Sequence, residues 1–225
     1  MSRRGSCFDA AGGILLGGWL LAALGGSLSP ATAPAAEGGF RNWVTLRDAG
    51  VVRQQRDFSC GVAALATYLS HYLRTPVTET ELLALLDQFG DSWNLPVNWR
   101  QQGVSYAILL RLARHHGLQG AGMSVTPELL GSLTVPAIVR LEVHGVAHFS
   151  VLKGIDRAGR VQLADPSWGN HRLGREAFLS LWLDPEFGGA KGTLMLFRPM
   201  AGSSLRPAAA YFGVDERQPL LRPPA

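Results

Sequence analysis

The spacing of apolar residues changes partway along this chain. In "GVAALATYLSHYL" (61–73), Val62, Ala66, Leu69 and Leu73 recur at helical spacing, which predicts one helix. "TETELLALLDQF" opens on Thr78 with Glu81 three residues later, a capping-box pattern before an apolar run. "SYAILLRLARHHG" starts at Ser105 and stops at Gly117, giving a third helix, and "TPELLGSL" gives a short fourth with Pro127 at its first position. The period then falls to two. "PAIVRLEV" alternates and reads as a strand, and "VAHFSVLKGI" continues it after a His144-Gly145 hairpin turn. "RVQLADP" is a third strand after the turn "DRAG", "REAFLSLWL" a helix and "GTLMLFRP" a closing strand. Helices first and an antiparallel meander second is the pattern of an α+β domain, here over residues 37–199. The Pro/Ala-rich stretch 200–225 reads as a mobile tail.

Composition agrees with one domain carrying a hydrophobic core: 225 residues, 47% hydrophobic and 17% charged. A net charge of +4 with no dense Lys/Arg run implies no nucleic-acid partner. The first 36 residues read differently. Arg3 and Arg4 precede the apolar stretch Ile14–Leu28, and Ala33-Pro34-Ala35 fits a small-x-small cleavage site. The stretch is short and glycine-rich beside the roughly 20 apolar residues of a membrane span. A cleaved signal peptide is therefore expected, and contact with a membrane only through a retained leader. Cleavage removes Cys7 and leaves Cys60 alone, a cysteine that is either deeply buried or kept as a reactive thiol.

Cys60 follows Ser59, a competent N-cap residue, at the start of the first helix. A helix start favours the thiolate, because unpaired backbone N–H groups and the helix dipole stabilise negative charge. Gly61 permits close approach of another group. The same facts suit a small apolar side chain packed at a helix end. Nucleophilic use requires a histidine in reach and a third group to orient it. Of six histidines, His71 is expected to face solvent, His115 and His116 to end a helix, His144 to sit in the hairpin turn and His171 to follow a polar "WGN" loop. His148 lies within a strand, on the face of Val146, Ser150 and Leu152, where it is either a core histidine or a base. Asp165 ends the next strand. Its Asp-Pro pair marks a turn, and pairing of the two strands would bring its carboxylate to Nδ1 of His148. For an oxyanion, the Cys60 N–H and a side-chain amide from Gln54 or Gln55 are the available donors.

Taken in order, "RQQRDFSCGVAALAT", "HFSVLKGI" and "VQLADPSWGN" resemble the C39 family of papain-like cysteine peptidases. The resemblance covers roughly Val51 to Pro199. It implies a papain-like fold, with Cys60, His148 and Asp165 as a triad and Gln54, six residues before the cysteine, as the oxyanion donor. Well-known members are fused to an ABC exporter and cleave after Gly-Gly. This chain has no G-x-x-x-x-G-K-[ST] loop, and is more similar to stand-alone exported members such as the peptidase-like component of bacterial functional-amyloid secretion systems. The resemblance thus implies a periplasmic cysteine peptidase acting on an exported protein or leader peptide, with a secretion-system component as a further partner. The alternatives are a non-catalytic module that only holds an exported polypeptide, and acyl transfer on the same triad. One cysteine with scattered histidines lacks metal-ligand spacing, and no phosphate or dinucleotide motif is present, so no cofactor is expected.

Overall fold

Helices form where apolar spacing and capping residues agree. The computed structural model describes residues 42–213. The leader expected over residues 1–36 and the end of the expected tail, 214–225, lie outside the described residues. In chain order the elements are α1 (Trp43–Asp48), α2 (Cys60–Thr67), α3 (Glu79–Phe89), α4 (Trp99–Gln102), α5 (Tyr106–His115), β1 (Leu118–Val125), α6 (Pro127–Leu130), β2 (Ala137–Val143), β3 (Val146–Ile155), β4 (Val161–Asp165), β5 (Gly169–Leu173), α7 (Arg175–Trp182) and β6 (Gly192–Pro199). The capping box is complete: Thr78 Oγ1 accepts from the Glu81 N–H at 3.2 Å, and the Glu81 carboxylate accepts from the Thr78 N–H at 2.6 Å. Ser105 Oγ accepts from the Ile108 N–H at the start of α5.

The segment 61–73 departs from a single α-helix. Regular geometry ends at Thr67 and a π-helical turn spans Tyr68–Tyr72, where the Leu73 N–H reaches the Tyr68 carbonyl at 3.1 Å. Tyr68 and Tyr72 pack edge to face within this wider turn, ring centroids 5.0 Å apart, and Tyr68 meets Phe197 in the same way.

Six antiparallel strands form one sheet in the order β1-β6-β2-β3-β4-β5. The hairpin between β2 and β3 turns at His144 and Gly145 with φ of 52° and 74°, both left-handed, as a two-residue type I′ turn requires. The final strand does not extend the meander at its end but enters between β1 and β2, with Ile138 opposite Met195. Strands β1 and β5 escape the sequence pattern. β1 ("LQGAGMSV") has low strand propensity, yet a Cβ at Gly120 would lie 2.5 Å from Phe197 Cδ1, so packing requires glycine there. β5 reads as a polar loop, but all five of its residues are buried and pair with β4.

The sheet is covered on both faces, so its central strands are buried almost continuously rather than alternately. Leu65, Leu69, Leu82 and Leu109 from the helices pack with Ile138, Val151 and Met195 on one face. Phe178 and Trp182 of α7 pack with Val139, Leu152, Leu163 and Leu194 on the other. Residues 200–213, read as the start of a mobile tail, carry specific contacts. The Ala208 N–H donates to the Tyr72 carbonyl, Tyr211 Oη to the Gly50 carbonyl at 2.9 Å, and the Gly213 N–H to the Lys153 carbonyl at 2.7 Å. Among the described residues no helix is long and apolar enough to cross a membrane.

Candidate functional site

Cys60 is the first residue of α2 and the free cysteine among the described residues, 9% exposed. Ser59 occupies the N-cap position without capping: its hydroxyl donates to the Arg56 carbonyl at 2.7 Å. The first turn of α2 therefore keeps its N–H groups clear of any capping side chain at Ser59, which favours negative charge developing on an atom bonded to Cys60. Gly61 is needed for packing rather than for access to the sulfur. A Cβ there would lie 3.0 Å from Phe149, 3.1 Å from Val104 and 3.2 Å from Leu109, so glycine lets the start of α2 press against β3 and α5.

Strand pairing brings the other two predicted residues together. β3 and β4 run antiparallel with Val151 opposite Ala164, so Asp165, one residue on, lies toward the His148 end of β3. His148 Nε2 is 2.8 Å from Asp165 Oδ2. This corrects the expectation of an Nδ1 contact: with Nε2 held by the carboxylate, Nδ1 is the ring nitrogen left to face the Cys60 thiol, whose influence on the imidazole is felt in its pKa. Burial works to lower the imidazole pKa, but the hydrogen bonds and charges of Asp165 and Cys60 outweigh it and push it up to about 10. Burial works to raise the pKa of Asp165, which is 0% exposed. The hydrogen bond and charge of His148, the nearby His171 and the Trp168 N–H outweigh it and hold the carboxyl below its usual range.

Asp165 faces the imidazole and shapes the turn at once. Oδ2 of Asp165 faces His148, while Oδ1 accepts from the N–H groups of Ser167 at 2.8 Å and Trp168 at 3.0 Å, the Asx-turn arrangement. The indole of Trp168 then lies against the imidazole, centroids 5.3 Å apart, and shields the pair. His171, expected after a loop, is on β5 and buried. Its Nδ1 donates to the Gly169 carbonyl at 3.0 Å, and burial holds its pKa below the ordinary value. His71, expected in solvent, stacks on Tyr211.

The two glutamines separate clearly. Gln55 is exposed, and its N–H is held by the buried carboxylate of Glu79. Gln54 is half-buried and tied to the Asp165 turn: its N–H donates to the Pro166 carbonyl at 3.1 Å, and its Oε1 accepts from Ser167 Oγ at 2.8 Å. Arg53 fastens the same turn. Its guanidinium donates to the carbonyls of Pro166 and Ser167 and pairs with Asp48. Arg53, Glu79, Ser167 and Trp168 are absent from the sequence-based candidates. For Arg53, Ser167 and Trp168, proximity to Gln54 or Asp165 within the quoted motifs is the signal that could have raised them; Glu79, 24 residues from Gln55, carries no such signal.

A thiol, an imidazole and a carboxylate in series is the arrangement that nucleophilic acyl chemistry uses. Beside Cys60 opens a groove of about 370 Å³, walled by Phe58, Gly103, Val104, Tyr106, Ala147 and Phe149. Among the described residues no group of three His, Cys, Asp or Glu side chains is arranged to hold a metal ion.

Comparison with known proteins agrees with this geometry. The model of the Peptidase C39 family matches residues 48–184. The probable functional amyloid protease FapD of Pseudomonas fluorescens is 33% identical over 136 residues, 60% of this chain and 58% of that protein. The protein of the same name from Pseudomonas aeruginosa is 32% identical over 155 residues, 66% of each chain. The chain thus spans 58% and 66% of the lengths of these two curated relatives. Among solved structures, the peptidase domain of Streptococcus ComA, a bi-functional ABC transporter involved in a quorum sensing pathway, is similar in fold. It has a TM-score of 0.53 at 21% identity, covering 67% of this chain and 98% of that domain.

Proposed function

The chain belongs to the Peptidase C39 family, and we propose that it is a periplasmic cysteine peptidase that hydrolyses a peptide bond in an exported protein or leader peptide. The observation that carries this reading is the placement of His148 between the Asp165 carboxylate, 2.8 Å from Nε2, and the Cys60 thiol. Cys60 attacks the peptide carbonyl: the S–C bond forms, the carbonyl π pair moves onto oxygen, and His148 Nδ1 holds the thiol proton. The oxyanion is stabilised by the Cys60 N–H and the Gln54 carboxamide. Collapse breaks the C–N bond, and the amine leaves with the proton from His148. Water, deprotonated by the same imidazole, then hydrolyses the thioester. Asp165 orients the ring and stabilises its charged form.

The names of the two FapD relatives support a role connected with functional amyloid, and the family resemblance supports its placement in an export pathway. The family resemblance supports cleavage after Gly-Gly, and the groove beside Cys60 suits an extended polypeptide. The test is incubation of the purified protein with a co-exported protein or a Gly-Gly leader peptide. Cleavage is expected from the wild type and none from Cys60→Ala. Cleavage by Cys60→Ala at the wild-type rate would remove the assignment, and retention of peptide binding without cleavage by the wild type would favour the holding module. Localisation is tested by fractionation: the mature chain is expected in the periplasm, beginning near residue 36 or 37.

A further inference from the structure

The carboxamide of Gln54 is gripped at both ends. Its Nε2 lies 2.9 Å from the Arg56 carbonyl oxygen, which can only accept, so the partner itself assigns this end as nitrogen. The opposite end is therefore Oε1, and Ser167 Oγ, 2.8 Å away, must donate to it. A primary amide carries two N–H donors. One is committed to Arg56, and the second is the donor available to a ligand.

Either anchor alone leaves the amide free to rock about one hydrogen bond; the two together fix its plane. Ser167 is itself fixed. Its N–H donates to Asp165 Oδ1 at 2.8 Å, its carbonyl accepts from Arg53, and the neighbouring Pro166 carbonyl accepts from the Gln54 N–H at 3.1 Å and from Arg53 Nε at 3.0 Å. The turn whose carboxylate meets His148 is thus the same turn that holds the Gln54 side chain.

We propose that Ser167 is a positioning residue for the oxyanion donor: its hydroxyl fixes the plane of the Gln54 carboxamide and aims the second Nε2 N–H at the oxyanion formed on attack by Cys60. The idea rests on the peptidase reading above, but makes its own demand. The orientation of Gln54 depends on Ser167 whether or not a substrate is present.

Two readouts separate the inference from the reading it rests on. The first is turnover of a peptide carrying Gly-Gly before a chromogenic anilide, in wild type, Ser167→Ala, Ser167→Thr, Gln54→Ala and the double variant. Ser167→Ala is expected to lower kcat on the order of tenfold, below the full loss of an oxyanion donor, with KM within about twofold. Threonine restores the hydroxyl and should recover most of kcat. In the Gln54→Ala background, Ser167→Ala should add nothing. The second readout is exchange, followed by NMR, of the Gln54 Nε2 proton bonded to the Arg56 carbonyl, expected to be slower in the wild type than in Ser167→Ala, where the amide is free to rock off that bond. An equal loss of kcat in both backgrounds, or unchanged amide exchange in Ser167→Ala, overturns the proposal. If the wild type cleaves nothing, the peptidase reading fails on its own, and amide exchange still decides whether Ser167 holds Gln54.

Discussion

Asp165 uses its two carboxylate oxygens differently: Oδ2 meets His148 Nε2 at 2.8 Å, and Oδ1 takes the N–H groups of Ser167 and Trp168. An amide cannot serve both sides. In Asp165→Asn the oxygen is expected to stay with the two backbone donors, which turns the NH₂ toward Nε2. The ring must then accept at Nε2 and carry its proton on Nδ1, the nitrogen that should receive a proton from Cys60. The fold is expected to survive, and kcat for peptide hydrolysis to fall roughly 10³–10⁴-fold, by analogy with the wrong-tautomer effect in serine peptidases. Steady-state kinetics beside circular dichroism check this, and a variant within tenfold of wild type contradicts it.

Stability should follow pH through the same pair. The folded pKa of His148 is raised to about 10 from an ordinary 6.5, so folding favours its protonated form. That contribution is complete below about pH 6.5 and is lost as pH rises toward 10. The pKa of Asp165 is depressed below its ordinary 3.8, so its contribution is present above that value and lost as pH falls through the folded pKa. Urea unfolding of wild type and His148→Gln should therefore converge between pH 6.5 and 10. A gap that stays constant across this range argues against the raised imidazole.

Gly61→Ala tests the close approach of α2. The new methyl would sit 3.0 Å from Phe149 and 3.1 Å from Val104, neither the end of a flexible chain. Overpacking of this kind costs about 1–3 kcal/mol, while the helix preference of alanine returns about 1 kcal/mol at most. A lower melting temperature is expected, together with a drop in kcat as Cys60 shifts. An unchanged melting temperature would mean that the interface yields freely.

Tyr211 anchors the segment after β6. Its ring stacks on His71 at 6.3 Å and lies 4.7 Å from Lys153 Nζ, and its hydroxyl bonds the Gly50 carbonyl. Tyr211→Ala should cost about 2 kcal/mol or more through lost packing and the unpaired carbonyl. Thermal unfolding should report a fall of several degrees for a chain of this size. Identical melting curves would show that the segment docks without stabilising.

The parts of this molecule that were legible in its sequence depend on local order. Thr78 and Glu81 announce α3 because a capping box is complete within four residues, and the turn at His144-Gly145 needs only left-handed backbone. Cys60, His148 and Asp165 were legible because each sits at the start, within or at the end of a readable element. The choice between the two nitrogens of His148 was not, since it depends on the direction from which Asp165 approaches across two strands. Ser167 and Arg53 were hidden for a similar reason: their partners lie more than a hundred residues away in sequence. β5 is hidden in the sequence because burial beneath α1 is a tertiary fact, and Gly169 there is required where a Cβ would strike Arg47.

Strand order carries a timing consequence. β6 is the last strand made, yet it enters between β1 and β2 and supplies Met195 and Phe197 to the same core as α2. A nascent chain that stops short of Gly192 leaves the inner edge of β1 without its partner and that core incomplete. Pairing between strands so far apart in sequence is intrinsically slow. Because the seat of Cys60 is part of that core, the packed setting of the thiol is complete only once β6 has taken its place in the sheet.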